Sequence, residues 1–411
     1  MAYKGKFAQQ KQPASRPSRS SRPGAAPKPK APPRKKINIF FVLVSLLVIP
    51  ASLMATQRIL GDLLPGLGRP AGQKVYEKTA DMAIMERFDT FITNAKSDAL
   101  EGVLDVRKRF WLSEDTKVAP EPDQSKFGKT DDPGSLGWLL EDAQQILEGQ
   151  SLYFSLDTQL FPGSQVMYYL DESIFAITWK EVHDDAVYTF SEVKVSHPSQ
   201  FRRHLAGGEY GSEMQFMTTE MAQSVNAVVA SSGDFYRFRD FGTSVYEGKV
   251  RRVEGTYAHT CYIDKNGDMH FSYGGQITDM ATAQKFVDDN QIQFSLAFGP
   301  VLVDKGQRCE PDWYGVGEIG EEYARAALCQ MDKLHYLVVA ANREGSCETP
   351  PTVKTFAKHI ANTGCQMAYS LDGGQTAAIV MNDQLINRVV YGTQRKISDI
   401  IYFATAVPEG G

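Results

Sequence analysis

The chain has 411 residues, and its formal net charge of −5 conceals an uneven layout. Of its 44 Lys and Arg, 11 lie in residues 1–36, which hold no Asp or Glu, so 33 basic groups stand against all 49 acidic ones in the rest. An acidic body of this kind excludes a nucleic-acid-binding domain outside the tail, because phosphate-backbone recognition needs a clustered positive surface.

Residues 1–36 are rich in Pro, Ser, Arg, Lys and Ala and nearly free of large apolar side chains. Such a segment cannot bury enough surface to offset its ordering entropy, so a disordered tail is expected. Ile37 to Thr56 then runs without a charge, about 20 residues and long enough to cross a bilayer core as a helix. Lys28, Lys30, Arg34, Lys35 and Lys36 crowd its N-terminal side. The positive-inside rule therefore predicts a single-pass anchor with a cytoplasmic tail and an extracellular body at the cell membrane, the lipid bilayer being one partner.

A Gly- and Pro-rich linker follows at Gly61 to Gly72. From Tyr76 to about Leu112, apolar residues including Met82, Met85, Phe88, Ile92, Ala99 and Val103 recur at spacings of three and four. The pattern predicts a helical stalk, packed on its own domain or self-associated as a homo-oligomer. Residues 113–135 are polar, with three prolines, and read as a second linker. The expected organisation is a tail at 1–36, a transmembrane helix at 37–56, linker and stalk at 57–135, and a globular domain at 136–411.

Within that domain a short helix is expected over Leu136 to Leu147, and strands dominate from about Gln165. SIFAITWKEV and AVYTFSEVKV flank a His183-Asp184-Asp185 turn and predict a hairpin. Met214 to Val225 reads as a helix. The turn Asn266-Gly267 inside CYIDKNGDMHFSY is a strong hairpin signal; Asp264, Asn266 and Asp268 lack the later ligands and closing Glu of a calcium loop. Gly315 to Gly320 formally matches a dinucleotide fingerprint but follows no strand, and reads as a loop. Leu334 to Ala340 reads as a buried strand, Thr352 to Thr363 as a helix, and Gln366 to Leu371 as a strand ending in the turn Asp372-Gly373-Gly374. The five cysteines, Cys261, Cys309, Cys329, Cys347 and Cys365, lie in the part expected to be exported, which predicts at least one disulfide. No metal-ligand spacing occurs, so neither metal nor cofactor is expected.

Three stretches stand out together: SSGDFY (Ser231 to Tyr236), FGPVLV (Phe298 to Val303), and the run from Ala324-Arg325 through SLDGGQTAAIV (Ser370 to Val380) to RKISDIIYFATA. In order and spacing they resemble the phosphodiester glycosidase family over roughly Ser173 to Ala406. The resemblance implies an α+β fold, a mixed β-sheet with flanking helices. It also implies hydrolysis of a glycosyl phosphodiester in a cell-surface polysaccharide or glycoconjugate, a sugar-phosphate glycan being the partner. The eukaryotic members of the family remove N-acetylglucosamine from a phosphodiester-linked mannose.

Such chemistry needs carboxylates at the anomeric centre and a cation at the phosphate. The matching positions assign Asp372, Asp234 and Arg325 to catalysis, with Arg325 gripping phosphate. Gly233, Gly373, Gly374, Thr376, Asn342 and Arg343 are assigned to substrate binding. Ser232, Gln375, Ala324 and the Ala341-Asn342-Arg343 run depart from the family's usual residues, which supports the alternative of a non-catalytic module binding glycan or protein through the same cleft.

Overall fold

The computed structural model describes residues 112, 116–147, 152–316 and 318–407. The expected tail, transmembrane helix and most of the stalk lie outside the described residues. Among the described residues no helix is long and apolar enough to cross a membrane.

Two sheets packed face to face form the frame. The larger has nine strands, and its centre consists of Ile174–His183, Ala186–Val195, His335–Asn342, Arg325–Asp332, Met367–Leu371 and Val301–Asp304, in that spatial order. The smaller has five strands, with Ile379–Met381, Val229–Ser232, Asp399–Phe403 and Phe201–Leu205 adjacent in that order. Every strand pairing within these two sheets is antiparallel. Their facing sides interdigitate in one core that includes Ile174, Val338, Tyr369 and Leu371 from the larger sheet and Val229, Ile379, Ile401 and Phe403 from the smaller.

The outer face of the larger sheet is covered by helices Pro133–Ile146 and Val353–Asn362, whose Leu136, Leu139, Phe356 and Ile360 enter a second core. Ala186–Val195 is therefore buried along its whole length, as expected of a strand with both faces covered. Truncating a side chain such as Phe356, 1% exposed, costs on the order of 3–5 kcal/mol. Helix Thr218–Ser224 covers the outer face of the smaller sheet. Helix Met280–Asn290 packs on a three-stranded sheet formed by Thr260–Asp264, Met269–Ser272 and Ile292–Leu296.

Local chemistry sets the element boundaries. Asp132, Asp279 and Thr352 cap three helices by accepting from the backbone N–H groups of Ser135, Thr282 and Thr355, satisfying donors that a helix start otherwise leaves free. Asp184 and Asp185 both adopt positive φ, the turn geometry that matches the twist of a two-residue hairpin. In the Asn266-Gly267 hairpin, Asp264 Oδ1 accepts from Asn266 N and Asp268 N at 2.8 and 2.9 Å. Its carboxylate thus closes the turn upon itself.

Three features differ from the sequence reading. Phe127–Thr130, expected in a linker, forms the edge strand of the larger sheet against Val166–Leu170. The helix expected from Met214 begins at Thr218, because Phe216 instead bridges to Ile397. All five cysteines are free thiols, where at least one disulfide was expected. Cys261 lies in the core between the sheets, whereas Cys329 and Cys365 lie in the core under the helices. The larger sheet separates them, a relation that spacing along the chain does not reveal.

Candidate active site

The strand Met367–Leu371 lies inside the larger sheet, between Arg325–Asp332 and Val301–Asp304. Beyond its end the chain leaves that sheet through Asp372 and Gly373, makes a 3-10 turn at Gly374–Thr376, and enters the smaller sheet as Ile379–Met381. Asp372 N donates to Gly233 O at 3.4 Å, which ties this crossing to the end of the adjacent smaller-sheet strand.

The crossing is tight, and glycine makes it feasible. A β-carbon on Gly373 would lie 2.4 Å from Ala324 O, and one on Gly374 2.6 Å from the Tyr323 ring. Gly374 also holds φ +64, a conformation that L side chains adopt only under strain. Thr376 Oγ1 donates to Gly373 O at 2.6 Å, so its hydroxyl fastens the turn.

A cavity of about 220 Å³ opens at this point. Asp372, Glu318, Arg239, Arg395 and Arg325 are the charged groups lining it, and Phe235, Tyr323 and Tyr391 are among its aromatic walls. Asp372 Oδ2 is enclosed and has no hydrogen-bond partner among the described residues. Burial pushes the Asp372 carboxyl up to about 6, against the opposing pull of the Thr376 hydroxyl and of the Arg395 and Arg239 charges. A buried carboxylate costs free energy unless something compensates it, and here the compensation is incomplete.

Arg239 and Arg395 form no ion pair among the described residues. The Arg395 guanidinium lies 4.7 Å above the centre of the Phe235 ring, and Phe235 stacks on Phe238 with centroids 4.5 Å apart. Phe235 and Tyr391 both hold positive φ, at 67° and 62°. Non-glycine residues in that region store strain, which concentrates at ligand sites.

The structure brings Asp372, Arg325 and Gly373 together at the cavity and leaves other sequence-assigned residues outside it. Arg325 Nη2 donates to Glu318 O and Glu321 O, both at 2.7 Å, and Nε donates to Pro351 O at 3.3 Å. Its guanidinium thus clamps the loop around 318–321, and burial lowers its pKa to about 10.

Asp234 is 1% exposed and does not line the cavity. Its Oδ1 lies 2.6 Å from Arg203 Nη2 and accepts from Tyr236 N at 3.0 Å, while Oδ2 accepts from Ala297 N at 2.7 Å. Arg203 also donates to Asp399 Oδ2 at 3.0 Å and to Ser295 O. Gly233 is required by this network, since a β-carbon there would fall 1.8 Å from Asp399 Oδ2. Asn342 is buried at the end of its strand, and neither amide atom has a hydrogen-bond partner among the described residues. Arg343 is exposed and lies 4.0 Å from Glu348. Neither lines the cavity.

Sequence reasoning missed Arg239, Arg395, Glu318, Tyr323 and Tyr391. Arg239 follows the SSGDFY stretch by three residues, and Arg395 opens the RKISDIIYFATA stretch, so proximity to the recurring motifs was the available signal. Glu318 sits in a glycine-rich loop that carries no such signal.

The phosphodiester glycosidase family model matches residues 225–404. The catalytic domain of zebrafish N-acetylglucosamine-1-phosphodiester alpha-N-acetylglucosaminidase, auto-inhibited by its pro-peptide, is similar at 16% identity, over 64% of this chain and 92% of that one, with a TM-score of 0.44. A hypothetical protein from Synechocystis is similar at 12% identity, over 56% and 62% of the two chains, with a TM-score of 0.40. A putative exported protein from Burkholderia pseudomallei is similar at 12% identity, over 53% and 74%, with a TM-score of 0.36. Among curated proteins none matches significantly.

Proposed function

We propose, from the premise that residues 225–404 form a phosphodiester glycosidase-family domain, that this protein hydrolyses a glycosyl phosphodiester of a cell-surface glycan at the cavity bordered by Asp372. The observation that carries the reading is the composition of that cavity. One carboxylate with an elevated pKa shares it with two guanidinium groups, Arg239 and Arg395, whose charges act on that carboxylate but which form no ion pair among the described residues.

Bond cleavage between the anomeric carbon and the phosphate oxygen sends the bonding pair to the phosphate. The leaving group then gains negative charge, and guanidinium donors of the Arg239 and Arg395 kind stabilise such charge bidentately. An entering water supplies hydroxide to the anomeric carbon and gives its proton to Asp372. A base with a pKa near 6 is largely ionised at neutral pH yet basic enough to accept that proton. Glu318 is the second carboxylate at the cavity wall, and two carboxylates are the usual equipment for cleaving a glycosidic bond. In this reading Asp234 positions the SSGDFY turn through Arg203, and Arg325 holds the 318–321 loop.

The uncharged run Ile37 to Thr56 and its basic flank support membrane anchoring, with the domain outside the cell. Protease added to intact cells tests this: the domain is digested and the tail spared, whereas a protected domain overturns it.

The catalytic reading is tested by turnover of sugar 1-phosphate diesters by the full chain. Asp372→Asn should lower turnover by about 10² to 10⁴, and wild-type turnover should fall as pH drops through about 6. Wild-type binding of these diesters without turnover would instead favour the non-catalytic module, the reading that the motif departures support. Near wild-type turnover by folded Asp372→Asn would remove the assignment.

A further inference from the structure

Six aromatic side chains are exposed among the described residues, and five of them line the cavity or neighbour a residue that lines it. Tyr323 and Tyr391 line the cavity. Phe238 stacks on the cavity wall at Phe235. Trp313, 74% exposed, and Tyr257, 49% exposed, both approach the β-carbon side of Gly315, next to the lining residue Val316. A β-carbon on Gly315 would lie 2.9 Å from the Tyr257 ring and 3.2 Å from Trp313. The sixth, Trp138, belongs to the helix Pro133–Ile146.

The Trp313 segment is held in place. Its neighbour Tyr314 is buried and accepts from His259 N at 2.9 Å while donating to Phe298 O at 2.7 Å. Tyr314 and Val316 join Phe241 and Ala258 in a small apolar cluster, with Phe298 and Ile319 packed against it. Trp313 is thus an exposed ring on an anchored backbone, which limits the ordering cost of binding.

The charge around these rings identifies what they suit. Asp312, Glu318, Glu321 and Glu322 are exposed on the same stretch as Trp313, whereas Arg239 and Arg395, which form no ion pair among the described residues, line the cavity from other segments, Arg395 lying over Phe235 and Phe238. Carboxylates beside aromatic faces repel a second phosphate or an anionic lipid surface but accept hydrogen bonds from vicinal hydroxyls. The apolar faces of pyranose rings match flat aromatic surfaces whose rims can hydrogen-bond.

We propose that the cavity continues into a saccharide subsite built by Trp313 and Tyr257, which holds further uncharged sugar residues of an extended glycan carrying the scissile phosphodiester. The proposal rests on the reading of the cavity as a glycosyl-phosphodiester site, and it deepens that reading by making an oligosaccharide or polysaccharide the substrate.

The test measures binding and turnover separately on the full chain. Five-sugar oligomers of glucose, mannose and N-acetylglucosamine, lacking any phosphodiester, are titrated by calorimetry and tryptophan fluorescence. At least one should bind and perturb the fluorescence. Trp313→Ala should weaken it about ten-fold, Tyr257→Ala should act in the same direction, and Trp313→Phe should restore most of the affinity.

In turnover, the KM for a diester on a five-sugar acceptor should rise in Trp313→Ala relative to the KM for the methyl diester of the same sugar phosphate. No binding of any oligomer, or equal affinity in wild type and Trp313→Ala, overturns the subsite. Cleavage of methyl diesters with no effect of Trp313 on the long acceptor removes the subsite and leaves the catalytic reading intact. Oligomer binding that depends on Trp313 without cleavage of any diester sustains the subsite and removes the catalytic reading.

Discussion

Arg203 Nη2 and Asp234 Oδ1 lie 2.6 Å apart, with side chains 1% and 0% exposed. A buried ion pair contributes little over an apolar substitute, but removing one partner leaves an uncompensated charge. Asp234 further accepts two backbone N–H groups, from Tyr236 and Ala297. Asp234→Ala should therefore destabilise the fold by about 3–5 kcal/mol, read as a lower urea midpoint. Asp234→Asn should cost less, because the amide oxygen still accepts from Arg203 and from the backbone N–H groups. Equal stability of Asp234→Ala and wild type would show that the network does not hold this turn.

Asp399 supplies a pH dependence with a defined sign. Burial raises its carboxyl to about 7, with Asp234 adding to the rise and Arg203 opposing it. The folded state then retains a proton that the unfolded chain releases near pH 4. Its contribution to stability is thus full below about pH 4, declines as pH rises to about 7, and levels off above. Asp399→Asn should flatten this part of the curve in urea melts collected from pH 4 to 8. An unchanged slope would place Asp399 in its charged form throughout.

Asp372 should show stability and activity pulling in opposite directions. Raising its carboxyl from 3.8 to about 6 corresponds to on the order of 3 kcal/mol against the charged form. Asp372→Asn removes that charge and should raise the melting temperature at pH 7.5 while turnover collapses. A site tuned for chemistry at the expense of stability behaves in this way. A fall in melting temperature would mean that the carboxylate is needed to hold the turn.

Arg239 and Arg395 should act on the phosphate. Charge-assisted hydrogen bonds contribute about 1.5–3 kcal/mol each. Arg239→Ala and Arg395→Ala should each weaken binding of inorganic phosphate and raise the KM for a sugar 1-phosphate diester by about ten-fold or more. Raising the salt concentration should narrow the difference between wild type and the variants, because exposed charges are screened. Phosphate affinity unchanged in both variants would place the anion elsewhere.

The segments whose local pattern and burial agree were legible before any coordinates. The Asp184-Asp185 and Asn266-Gly267 hairpins, the helix Val353–Asn362 with its Thr352 cap, and the strand leading into Asp372 all follow from period, turn chemistry and caps acting within a few residues. Phe127–Thr130 was not legible, because an edge strand of only four residues, one of them apolar, is recruited by its partner Val166–Leu170 rather than by its own pattern.

The site divides along the same line. Glycines at 233, 373 and 374 and a carboxylate at 372 are written in the sequence, because close backbone approach permits no other residue type at the glycines. Which carboxylate faces the cavity was decided by the tertiary structure. Asp234 and Asp372 both sit in Gly-Asp or Asp-Gly turns, yet only Asp234 finds Arg203 on a strand distant in sequence, and that contact encloses it. Arg239, Glu318 and Arg395 converge from three separate segments onto the end of one strand. No local spacing encodes that meeting, because it exists only once two sheets have packed and their strand ends share one opening.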